Sequence, residues 1–132
     1  MSIAKGVALV TGSAQGIGRA IALRLARDGF DIALNDVSSK RDQLRTVAND
    51  IEKIGRRTHL VPADVTIEGE VKGMVQNTTE RLGGLDVVSL ILYSHRQICS
   101  NTSLQMVANA GVCVLNDLPS SKPHSSVLYA FN

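Results

Sequence analysis

Residues Val7 to Gly18 read Val-Ala-Leu-Val-Thr-Gly-Ser-Ala-Gln-Gly-Ile-Gly. The first four are apolar and rich in β-branched residues, which is typical of a short buried parallel strand. Three glycines spaced G-x-x-x-G-x-G follow, and a run of good helix formers begins at Arg19. A strand, a glycine turn and a helix start together present backbone N–H groups to an anion. The stretch therefore predicts a diphosphate site at the turn.

A side chain would be unfavourable at each of the three glycines of this turn, for a different physical reason at each position. A side chain at Gly12 would obstruct the tight turn, and one at Gly16 would keep a diphosphate away from the backbone. A side chain at Gly18 would push the helix off the strand. A tight turn without a ligand is the alternative interpretation of the same three glycines.

The rest of the chain alternates between strand and helix patterns. This alternation predicts an α/β fold, in which a parallel sheet carries helices on both faces. In the first helix we expect Ile17, Ile21 and Leu25 on one face, with Ala22 and Ala26 beside them. The predicted elements are a helix over 18–28, a strand over 30–35, a helix capped by Ser38 or Ser39 and ending at Gly55, a strand over 58–61, a helix capped by Thr66 with Val71, Met74, Val75, Thr78 and Leu82 on one face, and a strand beginning at Leu85.

Three motifs in order resemble the short-chain dehydrogenase/reductase family. They are Thr11 to Gly18, Asp64-Val65, and Asn109-Ala-Gly111. The resemblance covers residues 5–87 and returns at 106–112. It implies a Rossmann-like parallel sheet of strand order 3-2-1-4, with the chain as the amino-terminal half of such a protein. The pattern Ala-Leu-Asn-Asp-Val around Asp36 weakly resembles diacetyl or acetoin reductases.

The glycine turn and Asp36 are the candidate cofactor residues that the pattern itself supports. Asp36 comes at the end of the second predicted strand, where a carboxylate can accept hydrogen bonds from both ribose hydroxyls and repel a 2′-phosphate. This favours NAD over NADP, although Lys40 or Arg41 could pair with a 2′-phosphate, and a solvated turn aspartate is the alternative. The candidate residues of the turn are Gly12, Ser13, Gln15, Gly16, Ile17 and Gly18.

The resemblance adds three further cofactor residues. It implies that Asp64 meets the adenine amino group, that Val65 packs beside the ring, and that Asn109 borders the cofactor after supporting the sheet. Taken alone, Asp64 is more typical of a turn or of an acid flanking a helix.

The pattern breaks between Val87 and Met106. The polar residues of 88–105 are costly inside a buried strand, and deleting this segment joins Leu85-Asp-Val87 to Met106-Val-Ala-Asn109 as one coherent strand. We hypothesise that 88–105 is a translated intron, and a surface loop is the alternative. The predicted organisation is a half-domain over 1–112, interrupted by this insert, and an irregular or disordered tail over 113–132.

The resemblance also implies catalytic residues that this sequence does not contain. Family members use a serine, a tyrosine and a lysine four residues beyond the tyrosine. Tyr93 and Tyr129 are the two tyrosines, and neither begins a Tyr-x-x-x-Lys motif. We therefore predict no catalytic residue and no activity of the chain alone, whereas a full-length form would transfer hydride between a small alcohol or carbonyl substrate and the cofactor. A non-catalytic nucleotide-binding or interaction module is the alternative.

Composition and charge indicate which kinds of partner the chain is not suited to bind. The net charge of +2 and the scattered basic residues do not favour nucleic acid, and no apolar run is long enough to cross a membrane. Cys99 and Cys113 lack metal-ligand spacing, so we predict no metal site and a reducing compartment. No signal peptide precedes the first strand, so cytoplasmic is the default location. The uncovered faces of a half sheet favour a homo-oligomer.

Overall fold

The computed structural model describes residues 3–91, 105–107, 112–114 and 127–131. Three helices and seven strands follow one another along these parts of the chain. They are β1 (Gly6–Val10), α1 (Gly16–Arg27), β2 (Phe30–Leu34), a 3₁₀ turn (Ser38–Lys40), α2 (Arg41–Ile54), β3 (Thr58–Leu60), α3 (Glu68–Leu82), β4 (Val87–Ile91), β5 (Gln105–Val107), β6 (Val112–Val114) and β7 (Val127–Phe131).

Five of the strands form one parallel sheet of order β3-β2-β1-β4-β7. The predicted order 3-2-1-4 is confirmed, and β7 adds a strand beyond it. β5 and β6 pair separately as an antiparallel ribbon. Because β1 lies between β2 and β4, the glycine turn that leaves β1 has strand ends on both sides.

The sheet is covered on both faces. Val7 and Leu9 of β1 pack in one core cluster with Val71, Met74 and Leu82 of α3. The alternate β1 residues lie in a second cluster with residues of α1 and α2, which include Ala22, Ala26, Leu44, Val47 and Ile51. This alternation places helices on opposite faces of a strand that is buried on both sides. The predicted face of α3 is confirmed, with Val75 partly buried beside it.

Helix α1 corrects one prediction. Its buried residues are Gly18, Ala22 and Ala26, whereas Ile17 is 59% exposed. Periodicity alone assigned Ile17 to the core because it is apolar. The helix instead places its smallest residues against the sheet, and Ile21 and Leu25 pack beside them as partly buried residues.

The two predicted helix caps are also corrected. α3 begins after Ile67, not Thr66, and no side chain caps it; Thr66 donates instead to Asp64, from its backbone N–H at 2.9 Å and from its hydroxyl at 2.6 Å. Ser38 and Ser39 lie within the 3₁₀ turn, and no side-chain hydrogen bond caps that turn or α2.

The strand over 87–91 bears on the predicted insert. β4 continues through Ile91, four residues into the segment 88–105, and Val88 and Ser89 are buried. In the structure, these first residues of the predicted insert belong to β4, which pairs with β1 and β7. Within the predicted irregular tail of 113–132, residues 113–114 belong to β6 and residues 127–131 form β7.

Polar contacts stabilise the sheet at the amino-terminal ends of β2 and β3. The buried Asp31 carboxylate accepts hydrogen bonds from the backbone N–H of Arg57 at 3.0 Å and from its Nε at 2.9 Å. The Arg57 guanidinium also donates to the carbonyl of Leu82, the last residue of α3, at 3.2 Å. Arg57 thus ties β2 and β3 to the end of α3.

Candidate functional site

The carboxyl ends of β1, β2 and β3 converge at one edge of the sheet. Ligands of open parallel sheets bind outside this edge, where the connections to the helices begin. All the sequence-predicted cofactor residues that the structure describes follow one of these three strands. Asn109, the remaining candidate, lies outside the described residues.

The glycine turn has the backbone that its sequence predicts. Gly12 and Gly16 have φ angles of 60° and 59°, in the left-handed region that side chains disfavour. A Cβ atom on Gly18 would overlap the carbonyl oxygen of Gly12. The role predicted for Gly18 is therefore visible as a close approach of α1 to the turn.

The amino terminus of α1 is suited to an anion. Gln15 is the N-cap residue, it is exposed, and its side chain makes no capping hydrogen bond. The first turn of the helix contains no acidic residue. The first backbone N–H groups of a helix lack partners within the helix and carry its positive dipole end. Gly16, Ile17 and Gly18 therefore supply donors where the diphosphate was predicted.

Ser13 contributes to the turn from the inside. Its side chain is buried, and its hydroxyl donates to the carbonyl of Asn35 at 3.1 Å. The backbone N–H of Ser13 donates to the same carbonyl at 2.9 Å. These two bonds join the glycine turn to the residue that follows β2.

Asp36 lies beside the turn, half-buried. Its Oδ2 accepts a hydrogen bond from the backbone N–H of Ala14 at 3.2 Å, and its Oδ1 accepts one from Val37 at 2.8 Å. Each carboxylate oxygen can accept more than one hydrogen bond, so acceptor capacity remains for a ligand. Lys40 ends the 3₁₀ turn and Arg41 begins α2, so both basic residues follow Asp36 closely in the chain.

Asn35 is a residue that the sequence reasoning missed. It is buried, its backbone N–H donates to the carbonyl of Val10 at 3.0 Å, and its Nδ2 donates to the carbonyls of Val61 at 2.9 Å and Ala63 at 3.3 Å. A signal was present, because an amide that directly continues a buried apolar strand must find hydrogen-bond partners.

Asp64 and Val65 lie in the connection from β3 to α3, which spans residues 61–67. The Asp64 carboxylate accepts both bonds from Thr66 described above, and its backbone N–H donates to Glu70 Oε2. The turn-forming role that the residue type alone indicates is therefore realised. Val65 is half-buried and packs against the cluster on the α3 face. The preceding Ala63 N–H donates to the carbonyl of Asp36 at 3.1 Å, so this connection lies next to the end of β2.

Ser89 of β4 borders the turn from the other side. Its carbonyl accepts the backbone N–H of Thr11 at 3.0 Å. Its own hydroxyl is buried and has no hydrogen-bond partner among the residues that the structure describes. Sequence reasoning had placed Ser89 in the insert and gave it no role.

His59 in β3 is the histidine within the described ranges. Burial lowers its pKa below 6.5, and the positive charge of Arg81 lowers it further. Residues 3–91 and the described strands beyond them contain no group of His, Cys, Asp and Glu side chains that could hold a metal ion. No helix in the same parts of the chain is long and apolar enough to span a membrane.

Comparison with known proteins agrees with this geometry. The family model of the short chain dehydrogenases matches residues 6–123. The short-chain dehydrogenase/reductase eriH of Hericium erinaceus is 43% identical over 89% of this chain and 40% of its own length. The L-2,3-butanediol dehydrogenase of Corynebacterium glutamicum is 42% identical over 62% of this chain and 32% of its own.

A solved structure has a similar fold over two thirds of this chain. The blue fluorescent protein from a metagenomic library, in complex with NADPH, has a TM-score of 0.62 and 36% identity, over 67% of this chain and 36% of that one. The chain thus spans about 40% or less of the length of these relatives. The glycine turn, the sheet order and the extent of the family match all agree: the chain belongs to the short-chain dehydrogenase family.

Proposed function

We propose that this chain binds NAD at the carboxyl edge of its sheet. In a full-length form it would serve an oxidoreductase that transfers hydride between a small alcohol or carbonyl substrate and the nicotinamide. The observation that carries the proposal is the direct contact between the Asp36 carboxylate and the N–H of Ala14 in the glycine turn. A ribose acceptor and a diphosphate site are thereby adjacent, as a dinucleotide requires.

The diphosphate would lie on the amino terminus of α1. The left-handed conformations of Gly12 and Gly16 and the uncapped helix end support this placement. Gln15 and Ile17 flank the anion, whereas Ser13 supports the turn from below. We propose this division because the Ser13 hydroxyl is buried and already donates to Asn35.

NAD rather than NADP is the finer part of the proposal. A carboxylate at Asp36 accepts ribose hydroxyls and repels a 2′-phosphate. The metagenomic blue fluorescent protein is in complex with NADPH, and in this chain Lys40 and Arg41 would be the cations for such a phosphate. Asp36 contacts the turn itself, and this favours NAD.

The adenine would lie over the connection from β3 to α3. Asp64 would meet the adenine amino group and Val65 would pack beside the ring, while Asn109 would border the cofactor from beyond β4. The hydrogen bond from Ala63 to the carbonyl of Asp36 keeps this connection close to the ribose position. Bound nicotinamide would supply or accept the hydride, and the residues of this chain would bind and orient it.

The substrate and the assembly complete the proposal. The butanediol dehydrogenase relative and the sequence around Asp36 favour a small diol or hydroxyketone. We assign no catalytic residue to this chain, and a cytoplasmic homo-oligomer is the state we propose for the protein that contains it.

Calorimetric titration of the 132-residue chain with NAD, NADP and ADP tests the proposal. Gln15→Glu should weaken the binding of all three ligands, because it places a negative charge where the diphosphate would bind. The same charge should stabilise the amino terminus of α1, so a loss of binding would not reflect a loss of the helix. Asn77→Asp makes the same charge change on the exposed face of α3 and should leave affinity unchanged. Wild-type chain that binds none of the three ligands would overturn the proposal.

A further inference from the structure

We infer that Asn35 is a positioning residue that sets the adenine side of the site relative to its diphosphate side. The inference rests on the proposed function, because it concerns how that site is held. Asn35 follows β2 directly and is 1% exposed. It lies between the two halves of the site and hydrogen-bonds to both.

The backbone of Asn35 fixes the diphosphate half. Its N–H donates to the carbonyl of Val10 at 3.0 Å, and its carbonyl accepts the N–H and the hydroxyl of Ser13. These bonds tie the end of β2 to the end of β1 and to the glycine turn. They do not involve the Asn35 side chain, so a substitution leaves their atoms in place.

The side chain of Asn35 fixes the adenine half. Nδ2 donates to the carbonyls of Val61 and Ala63, which flank Pro62 between the end of β3 and Asp64. An amide NH₂ has two donor hydrogens, and each can serve one carbonyl. Pro62 has no N–H of its own to donate. The Asn35 amide therefore links this segment across the edge of the sheet to the end of β2.

This division separates two classes of ligand. AMP would contact both Asp36, at the end of β2, and the Asp64-Val65 connection after β3. These are the two segments that the Asn35 side chain joins. Inorganic pyrophosphate would contact the turn and the amino terminus of α1, on the backbone side of Asn35. Loss of the side-chain link should therefore weaken AMP and spare pyrophosphate, whereas a general loss of folded protein would weaken both equally.

Asn35→Leu tests this with a neutral side chain of similar volume that cannot donate. We expect the Kd values for AMP and NAD to rise about tenfold or more, because both hydrogen bonds that the Asn35 amide donates are lost. The pyrophosphate affinity, measured from the amide NMR shifts of Gly16 and Gly18, should not change. Asn49→Leu removes an exposed amide from α2 and is the matched control.

A measurement on the wild-type chain covers the case in which Asn35→Leu does not fold. The two Nδ2 protons of Asn35 should exchange with solvent far more slowly than those of Asn49, and they should shift when AMP is added. Exchange as fast as that of Asn49, or equal effects of Asn35→Leu on AMP and pyrophosphate, overturns the inference alone. Wild-type chain that binds neither AMP nor NAD overturns the proposed function, and the inference with it.

Discussion

The Asp36 carboxylate and the backbone of Ala14 are hydrogen-bonded at 3.2 Å, although 22 positions separate them in the chain. This bond joins the end of β2 to the middle of the glycine turn. A ribose that hydrogen-bonds to Asp36 would therefore lie next to the amides that face the diphosphate. In the proposed complex, specificity for the 2′ position and affinity for the diphosphate would then depend on neighbouring atoms.

Asp36→Asn should shift the cofactor preference toward NADP. The amide keeps one oxygen that can accept a hydrogen bond, but the negative charge that repels a 2′-phosphate is lost. Hydrogen bonds to charged groups contribute about 1.5–3 kcal/mol, so the ratio of NAD to NADP affinity should fall at least about tenfold. Titration with each cofactor measures the ratio. Asp28→Asn, at the far end of α1, makes the same charge change and should leave the ratio of NAD to NADP affinity unchanged. An unchanged ratio in Asp36→Asn would refute the proposal that Asp36 binds the ribose.

Gly18→Ala should destabilise the fold, because the added Cβ overlaps the Gly12 carbonyl and α1 must move away from the turn. Overpacking of this kind costs about 1–3 kcal/mol. Gly73→Ala is the matched control, since a Cβ at this α3 position meets open space and Ala favours a helix interior by about 0.5–1 kcal/mol over Gly. Urea unfolding of both variants should give changes of opposite sign. The same sign for both would contradict the close approach.

Arg57→Met should destabilise the chain by about 2 kcal/mol, because it leaves the buried Asp31 carboxylate without its closest cation. Asp31 is 2% exposed in this ion pair, and Arg56 remains only at 4.0 Å. Arg24→Met removes an exposed pair with Asp28, which is worth about 0.3–0.5 kcal/mol. Thermal unfolding should separate the two variants clearly. Similar losses would show that the Asp31 pair contributes no more than a surface contact.

The chain should lose stability as the pH falls below about 6.5, through the histidine in β3. The pKa of His59 is lower in the folded chain than its ordinary value of 6.5, so the unfolded chain binds more protons between these two values. This contribution is complete above the unfolded pKa and declines until the pH reaches the folded one. Unfolding at several pH values should show a smaller dependence in His59→Gln. A folded-state NMR titration of His59 above 6.5 would contradict the sign.

The parts of the fold that sequence predicts are those with a local physical signature. Gly18 indicates a close approach of α1 to the glycine turn, because a side chain would not fit there. The spacing of Val71, Met74 and Leu82 identifies the buried face of α3. The exposure of Ile17 could not be predicted from the local sequence pattern. Hydrophobicity favours its burial, but the small residues of α1 allow a closer helix, and Ile17 is left exposed.

The parts that sequence did not predict depend on contacts across the sheet. The amide of Asn35 bonds to carbonyls 26 and 28 positions away, and nothing in its own neighbourhood names those partners. β7 pairs with β4 through residues 40 positions apart, from Val87 with Val127 to Ile91 with Phe131. Parallel register of this kind is set by tertiary packing. The candidate cofactor residues Gly12 to Gly18 and Asp36 could be predicted from sequence because they belong to one short β-α-β unit.

The sheet also implies an order of folding. β1 and β2 pair across 24 positions, from Gly6 with Phe30 to Val10 with Leu34, whereas the Asp86 carboxylate reaches the Val7 N–H across 79. Shorter loops cost less entropy to close, so local pairings precede distant ones. The turn, Asn35 and Asp36 all lie within the β1-α1-β2 unit and would form early. We expect the pairing of β4 with β1, in which the Ser89 carbonyl accepts the Thr11 N–H, to form later, after the glycine turn has taken its shape.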